Sequence, residues 1–219
     1  MWCIGRITGE YRERMYDLLH LYHLPYRAQE PVVCVDEKSK QLLKEVRAPL
    51  SVKPGAPIRE DYEYERSGVA NLFVAVEPKG RRRRVAVTER RAKPDFVRFV
   101  KTLLEEVYAK ARKVHLVLDN LNTHFRSCFE EVLGREEAAR LLARVEFHYT
   151  PKHASWLNMA EIEIGILDRQ CLNRRLPDRE TMAREAAAWQ KRRNTERRGI
   201  EWTFTRQDAD RKLARHYVS

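Results

Sequence analysis

The sequence predicts an α/β protein in which a mixed β-sheet is flanked by helices. Two runs of β-favouring residues, Pro31–Asp36 and Lys113–Asp119, each end on an aspartate. Two further runs, Ala70–Val76 and Arg82–Thr88, are separated by a short segment with proline and glycine, as in a hairpin. Between and after these runs apolar residues recur at helical spacing, so strands and helices alternate along the chain.

The first third of the chain contains a helix, the first strand and polar connections. Residues 9–23 carry Met15, Leu18, Leu19 and Tyr22 at helical spacing. Residues 39–47 fit either a short helix or a second extended segment. Residues 61–66 alternate acids with aromatics, which favours an edge strand over a loop.

Beyond the hairpin the sequence predicts an amphipathic helix over Pro94–Ala111 and another over Arg135–Ala143. The strand Val145–Tyr149 follows and ends at Pro151, because proline has no N–H to donate to the sheet. Ser155 is the expected N-cap of an apolar helix that runs from Trp156 to Leu172.

The last segment is polar and basic. It predicts a helix over Arg179–Asn194, which ends near the basic residues 191–193, and a short helix over Gln207–Tyr217. Trp202 and Phe204 are expected to anchor this tail to the core. The chain is therefore expected to have a helical lead-in (1–30), a main domain (31–176) and a basic helical extension (177–219) packed on it.

Composition restricts the class of partner. Lys plus Arg is 43 against 32 Asp plus Glu, which gives a net charge of +11 and favours an anionic polymer. The cysteines are scattered without a C-x-x-C pair, so neither zinc nor disulfides are indicated, and a reducing cytoplasm suits them. No apolar run is long enough to cross a bilayer, so no membrane partner is expected.

Acidic residues mark a candidate site. Asp36 and Asp119 each end a predicted strand, and ligands bind open α/β sheets outside the carboxyl ends of their strands. Glu161 and Glu163 lie in the apolar helix, where burial of a carboxylate needs compensation. Three carboxylates from three elements are tolerated together chiefly around divalent cations. Taken alone, a glutamate on this helix is better explained by a position on its solvated side, and helical periodicity does not decide because the helix is apolar almost all round.

Three acidic blocks of the chain resemble those of DDE-superfamily transposases, in the bacterial insertion-sequence branch related to mariner elements. The blocks are V-V-C-V-D-E, L-V-L-D-N-L-N-T-H and Y-T-P-K-H-A-S-W-L-N-M-A-E-I-E. The resemblance implies a ribonuclease-H-like (integrase-like) catalytic domain in which Asp36, Asp119 and Glu161 bind two Mg²⁺ or Mn²⁺ ions. Glu163 lies outside the family's Asn-x-x-Glu pattern, which here is Asn158 to Glu161, so it is expected to be structural or peripheral.

Further residues are expected to support catalysis or contact DNA. They are Asn120, Asn122 and His124 in the second block, Lys152, His153 and Asn158 in the third, and the run Arg81, Arg82, Arg83 and Arg84. Each group has a plainer alternative. The second block also fits a helix cap, the loop residues fit a solvated turn, and a run of arginines is often a solvated face.

The resemblance implies metal-dependent DNA strand cleavage and strand transfer near the bacterial nucleoid, with a homodimer on DNA. Too few residues precede Asp36 for the family's helix-turn-helix region, so recognition of element ends is expected to need a separate domain. Two alternatives remain: a non-catalytic DNA-binding remnant of a shortened transposase, and a ribonuclease H-like nuclease.

Overall fold

One mixed sheet organises the protein. In the computed structural model, which describes residues 6–47, 54–55, 61–119 and 125–218, five strands pair in the order β3-β2-β1-β4-β5. The strands are β1 (Val32–Glu45), β2 (Tyr64–Glu77), β3 (Arg82–Thr88), β4 (Val114–Leu118) and β5 (Val145–Tyr149). Strand β2 is antiparallel to both of its neighbours, β1 and β3, whereas β4 is parallel to β1 and β5 is parallel to β4. This order and these directions are those of a ribonuclease-H-like sheet, so the predicted fold class is confirmed.

Helices cover both faces of the sheet. They are α1 (Gly9–His23), α2 (Lys93–Thr102), α3 (Arg126–Leu133), α4 (Arg135–Leu142), α5 (Met159–Leu167), α6 (Arg179–Glu196) and α7 (Arg206–Leu213). Helices α2, α3 and α4 pack on one face around Phe73, Phe96 and Phe129. Helices α1, α5, α6 and α7 pack on the other face. Each strand therefore has an α2 face and an α5 face, and its side chains alternate between them.

Residues 39–47, which fitted two predictions, are mostly extended. Strand β1 continues to Glu45 and stays paired with β2, with one irregularity between Gln41 and Leu43. The backbone hydrogen bonds to a long neighbouring strand decide this conformation, because local sequence leaves the choice open. The predicted strand at residues 61–66 is correct only in its second half, since β2 begins at Tyr64.

Three helices differ from their predictions. The helix predicted over Pro94–Ala111 is α2, which continues as a π-helical turn and ends at Val107. The sequence does not predict α3, because this short helix directly follows the polar second block. The apolar helix expected from Trp156 begins with a 3-10 turn, and α5 proper starts three residues later.

Aromatic side chains of the basic tail contact the rest of the protein. Trp202 lies 5.3 Å from the ring of Tyr22 and stacks on Trp156 at 6.2 Å, measured between ring centroids. Phe204 meets Trp156 edge-on at 5.6 Å. Helix α6 buries Met182, Ala186 and Trp189 beside β2 and α5. None of the helices in the described residues has the length and apolar character required to cross a membrane.

Candidate active site

The register of the sheet places Asp36 and Asp119 side by side. Residues Val32 to Cys34 of β1 lie beside His115 to Val117 of β4, and the same register continued by two positions sets Asp36 beside Asp119. Asp36 projects from the α5 face, because it is paired with Val74, which packs under α5. Its side chain is 8% exposed, and the Glu37 backbone N–H donates to its Oδ1 at 2.7 Å. Asp36 thus lies within β1, which continues to Glu45, whereas Asp119 directly follows the carboxyl end of β4.

Asn158 attaches the start of α5 to β1. The side chain is fully buried: its Nδ2 donates to the Val35 carbonyl at 2.9 Å, and its Oδ1 accepts from the Ala160 N–H at 3.1 Å. Asn158 is therefore the N-cap of α5, and the predicted N-cap, Ser155, is wrong. Its burial also excludes contact with DNA, so of its two expected roles only the supporting one remains.

Glu161 lies in the first turn of α5, one turn beyond Asn158, and is exposed. Because the Asn158 bond reaches the residue just before Asp36, the start of the helix is held at the end of β1 that carries the acid. A carboxylate in a first helical turn is also favoured by the helix dipole. Glu161 thus lies in the first turn of a helix that is attached to β1 beside Asp36, and its part in a common site with Asp36 and Asp119 stays a prediction.

These three acids do not form a closed cluster. Within the described residues, the group of three ligand-type side chains whose donor atoms all lie within 4.8 Å of one another is a different one. Asp36, Asp119 and Glu161 would each offer a carboxylate to a cation. The donors are all carboxylate oxygens, which are the ligands that Mg²⁺ and Mn²⁺ prefer. The donor set therefore fits a site for hard divalent cations.

Lys152 and His153 form an exposed turn before α5. The Ala154 N–H donates to the Pro151 carbonyl at 3.0 Å across this turn, and His153 has a φ of 63°. Positive φ is uncommon for a side chain other than glycine, although histidine is among the more tolerant residues. The turn holds two cationic or ionisable side chains in solvent beside the start of α5. Their expected contact with DNA stays a prediction. Asn120, Asn122 and His124 lie outside the described residues.

The arginine run is divided between the two faces of the sheet. Arg83 is 2% exposed, so the prediction that it contacts DNA is wrong. Arg82 and Arg84 project from the α2 face, where Arg82 donates to the Val107 carbonyl at 3.0 Å. Arg81 precedes the strand and is exposed. The side chains of Arg82 and Arg84 thus point to the opposite face from Asp36. Side chains alternate along a strand, so four consecutive arginines cannot all lie on one face.

Glu163 is fully buried and forms ion pairs with two arginines. Its Oε1 and Oε2 accept from Nε and NH2 of Arg83 at 2.8 and 3.1 Å, and Nε of Arg193 donates to Oε1 at 3.1 Å. Arg83 also donates to the Arg198 carbonyl. The solvated-side reading of this glutamate is wrong, and its expected structural role agrees with the geometry. A sequence signal existed, an acid in an apolar helix, but the partners lie 80 and 30 residues away.

Comparison with known proteins gives one family match. The model of a DDE superfamily endonuclease matches residues 31–183, a range that includes Asp36, Asp119 and Glu161. No curated protein matches the sequence. The chain is similar to solved structures of Mos1 transposase at low identity. The Mos1 chains are longer than this one, which covers about two thirds of their length.

A Mos1 transposase paired-end complex with left transposon end is 16% identical, with 92% of this chain and 66% of that chain covered and a TM-score of 0.41. For the Mos1 strand transfer complex the identity is 16%, the coverages are 93% and 67%, and the TM-score is 0.39.

Proposed function

Since this chain belongs to the DDE superfamily of endonucleases, we propose that it is the catalytic domain of a transposase that cleaves DNA and transfers the cut strand. The observation that carries the proposal is the sheet register with the Asn158 bond. They support a common site for Asp36, Asp119 and Glu161, all three of which lie inside the range that the family model matches. The chain spans 66% of the length of the Mos1 chain above.

The proposed reaction is an in-line displacement at phosphorus. Asp36, Asp119 and Glu161 would hold the two Mg²⁺ or Mn²⁺ ions that the family resemblance implies. Cations bound there supply activation of the attacking water or 3′-hydroxyl and stabilisation of the leaving oxygen. The protein positions the phosphodiester and neutralises its charge, so no covalent protein nucleophile is needed. Lys152 and His153 would contact a phosphate beside the acids.

The wild-type chain is expected to nick supercoiled plasmid with Mg²⁺ or Mn²⁺ and to stop when EDTA removes the metal, because the acids alone cannot activate water. The measurement is conversion of supercoiled to open-circular DNA on a gel. An RNA–DNA hybrid of the same sequence serves as the second substrate. Preferential cleavage of the hybrid would replace the transposase proposal by a ribonuclease H-like nuclease. Binding without cleavage under every metal would make the chain a non-catalytic DNA-binding remnant.

Binding to duplex DNA is expected to weaken with salt, and the slope identifies the contacts. Each phosphate contact contributes about 0.9 to the slope of log affinity against log salt, so Lys152→Ser is expected to lower the slope by about 0.9. The matched test of the arginines is the triple variant Arg81→Ser, Arg82→Ser and Arg84→Ser, with Arg83 kept because it is buried. A slope lowered by a unit or more supports phosphate contact by these arginines, whereas an unchanged slope makes them a solvated face.

The expected homodimer on DNA, the separate domain for element ends and the association with a bacterial nucleoid belong to the same proposal. They depend on the resemblance to insertion-sequence transposases and on the charge of +11.

A further inference from the structure

Three potential metal ligands converge on the α5 face of the sheet, away from the acidic site. They are His115 of β4 and Glu146 and His148 of β5, and their ligand atoms all lie within 4.8 Å of one another. His115 Nδ1 lies 3.0 Å from His148 Nε2. The Glu146 carboxylate oxygens lie 3.8 Å from each of these nitrogens. Two imidazoles and a carboxylate thus face a common point.

The parallel register produces this cluster. His115 is paired with Glu146, and His148 lies two residues further along β5 on the same face. Asp119 follows His115 by four residues, which is about 13 Å along a strand at 3.3 Å per residue. The cluster is therefore distinct from the site of Asp36, Asp119 and Glu161 in both position and donor type.

Asp17 of α1 orients one of the imidazoles. His148 Nδ1 lies 2.7 Å from Asp17 Oδ2. This hydrogen bond is the main cause that lowers the pKa of Asp17, so the aspartate is ionised and accepts the Nδ1 proton. The lone pair of His148 is then on Nε2, the nitrogen that faces His115 and Glu146. A carboxylate that fixes the tautomer of a histidine in this way is the usual companion of a metal-bound imidazole.

The environment suits a cation that can enter from solvent. His148 and His115 are mostly buried, while Glu146 is half exposed and forms an ion pair with Lys113 at 2.8 Å. Two nitrogens bound to one tetrahedral Zn²⁺ at about 2.0–2.1 Å lie about 3.3 Å apart. The observed separation of 3.0 Å needs only a small opening.

We propose that His115, Glu146 and His148 bind one Zn²⁺, with a water molecule as fourth ligand, at a site separate from the catalytic acids. Nitrogen and oxygen donors in this ratio, with an open fourth position, fit Zn²⁺ better than Mg²⁺. The ion would join β4 to β5 and, through Asp17, fix α1 against the sheet. It would thus stabilise the strand that leads to Asp119.

Metal binding to the full chain tests this site. Chelator-treated protein is titrated with Zn²⁺ by calorimetry and with Co²⁺ by visible absorption, where four-coordinate Co²⁺ gives intense bands. We expect one tightly bound equivalent of either metal, distinct from any weaker binding at the catalytic acids. We also expect a higher melting temperature with Zn²⁺, because only the folded state has the site, and four-coordinate Co²⁺ bands.

Variants assign the ligands. Loss of a residue that only orients a metal ligand, as Asp17 does here, typically weakens metal binding by about tenfold to hundredfold. His115→Asn and Glu146→Gln each remove a ligand itself, so we expect them to weaken Zn²⁺ binding by at least that factor. His23→Asn is the matched control, since His23 lies on α1 and contacts the Leu19 carbonyl. The triple variant Asp36→Asn, Asp119→Asn and Glu161→Gln must retain the Zn²⁺ site. Circular dichroism of each variant verifies its fold, and Glu146→Gln, on a half-exposed side chain, tests the site if a histidine variant fails to fold.

Failure of this inference is distinguishable from failure of the proposed function, because no readout depends on DNA cleavage. Absence of Zn²⁺ binding, or unchanged binding in both His115→Asn and Glu146→Gln, would leave only a hydrogen bond between two imidazoles and overturn the proposal. Loss of Zn²⁺ from the triple acid variant would equally overturn it, by placing the ion at the catalytic acids.

Discussion

We expect metal-dependent nicking to be abolished by each of three variants, Asp36→Asn, Asp119→Asn and Glu161→Gln. Removal of one group that stabilises a transition state typically lowers the rate by about 10²–10³, and the nicking rate should fall by at least that factor. Each change removes a charged oxygen ligand and almost no volume. Stability should change by less than about 1 kcal/mol, because the amides also relieve repulsion among the acids. Nicking of supercoiled plasmid and thermal unfolding are measured on the same preparations.

The matched control is Asp168→Asn. Asp168 lies in the π-helical continuation of α5, is partly exposed and is 3.3 Å from Lys38 Nζ, so it resembles Glu161 in charge and setting without lying at the sheet end. It should keep full activity. An active Glu161→Gln variant together with a folded but inactive Glu163→Gln variant would reverse the assignment of the third ligand.

Glu163→Gln is expected to destabilise the fold by about 3–5 kcal/mol, since breaking a buried ion pair by removing one partner leaves uncompensated charge. The side chains of Arg83 and Glu163 are 0% exposed and that of Arg193 is 7% exposed. For a chain of this size about 1 kcal/mol corresponds to roughly 2–4 °C, so the melting temperature should fall by about 6–20 °C. Urea unfolding gives the free energy directly.

Glu161→Gln is the control for this second result, because it lies two residues away on the exposed side and should not change stability. Replacing all three partners by apolar residues, as Glu163→Leu, Arg83→Met and Arg193→Met, should recover much of the loss, since apolar replacements of buried ion networks are often neutral. A loss below about 1 kcal/mol in Glu163→Gln would show that the arginines find other partners. Any fall in nicking by folded Glu163→Gln is expected to be small, because the buried Glu163 carboxylate is already paired with Arg83 and Arg193.

The start of α5 shows where prediction from sequence stops. Ser155 and Asn158 are both good N-cap residues, and the apolar periodicity from Trp156 favoured the earlier one. The structure selects Asn158 because its amide can also donate to the Val35 carbonyl, 123 residues away in sequence. The same bond fixes the start of the helix that carries Glu161. The motif indicates Glu161 as a candidate ligand, but its position depends on this long-range contact.

The sequence by itself determined the strand that carries Asp36 and the strand that leads to Asp119, the hairpin between β2 and β3, and the apolar helix with its acids. Only the pairing with β2 decided that β1 continues past Asp36 to Glu45. These depend on residue type and on periods of 2 and 3.6, which act over a few residues. The tertiary structure alone decided that Arg83 turns inward to Glu163, and that His115 meets Glu146 and His148. Strand register and the packing of distant elements control those contacts, and the sequence around each residue does not predict them.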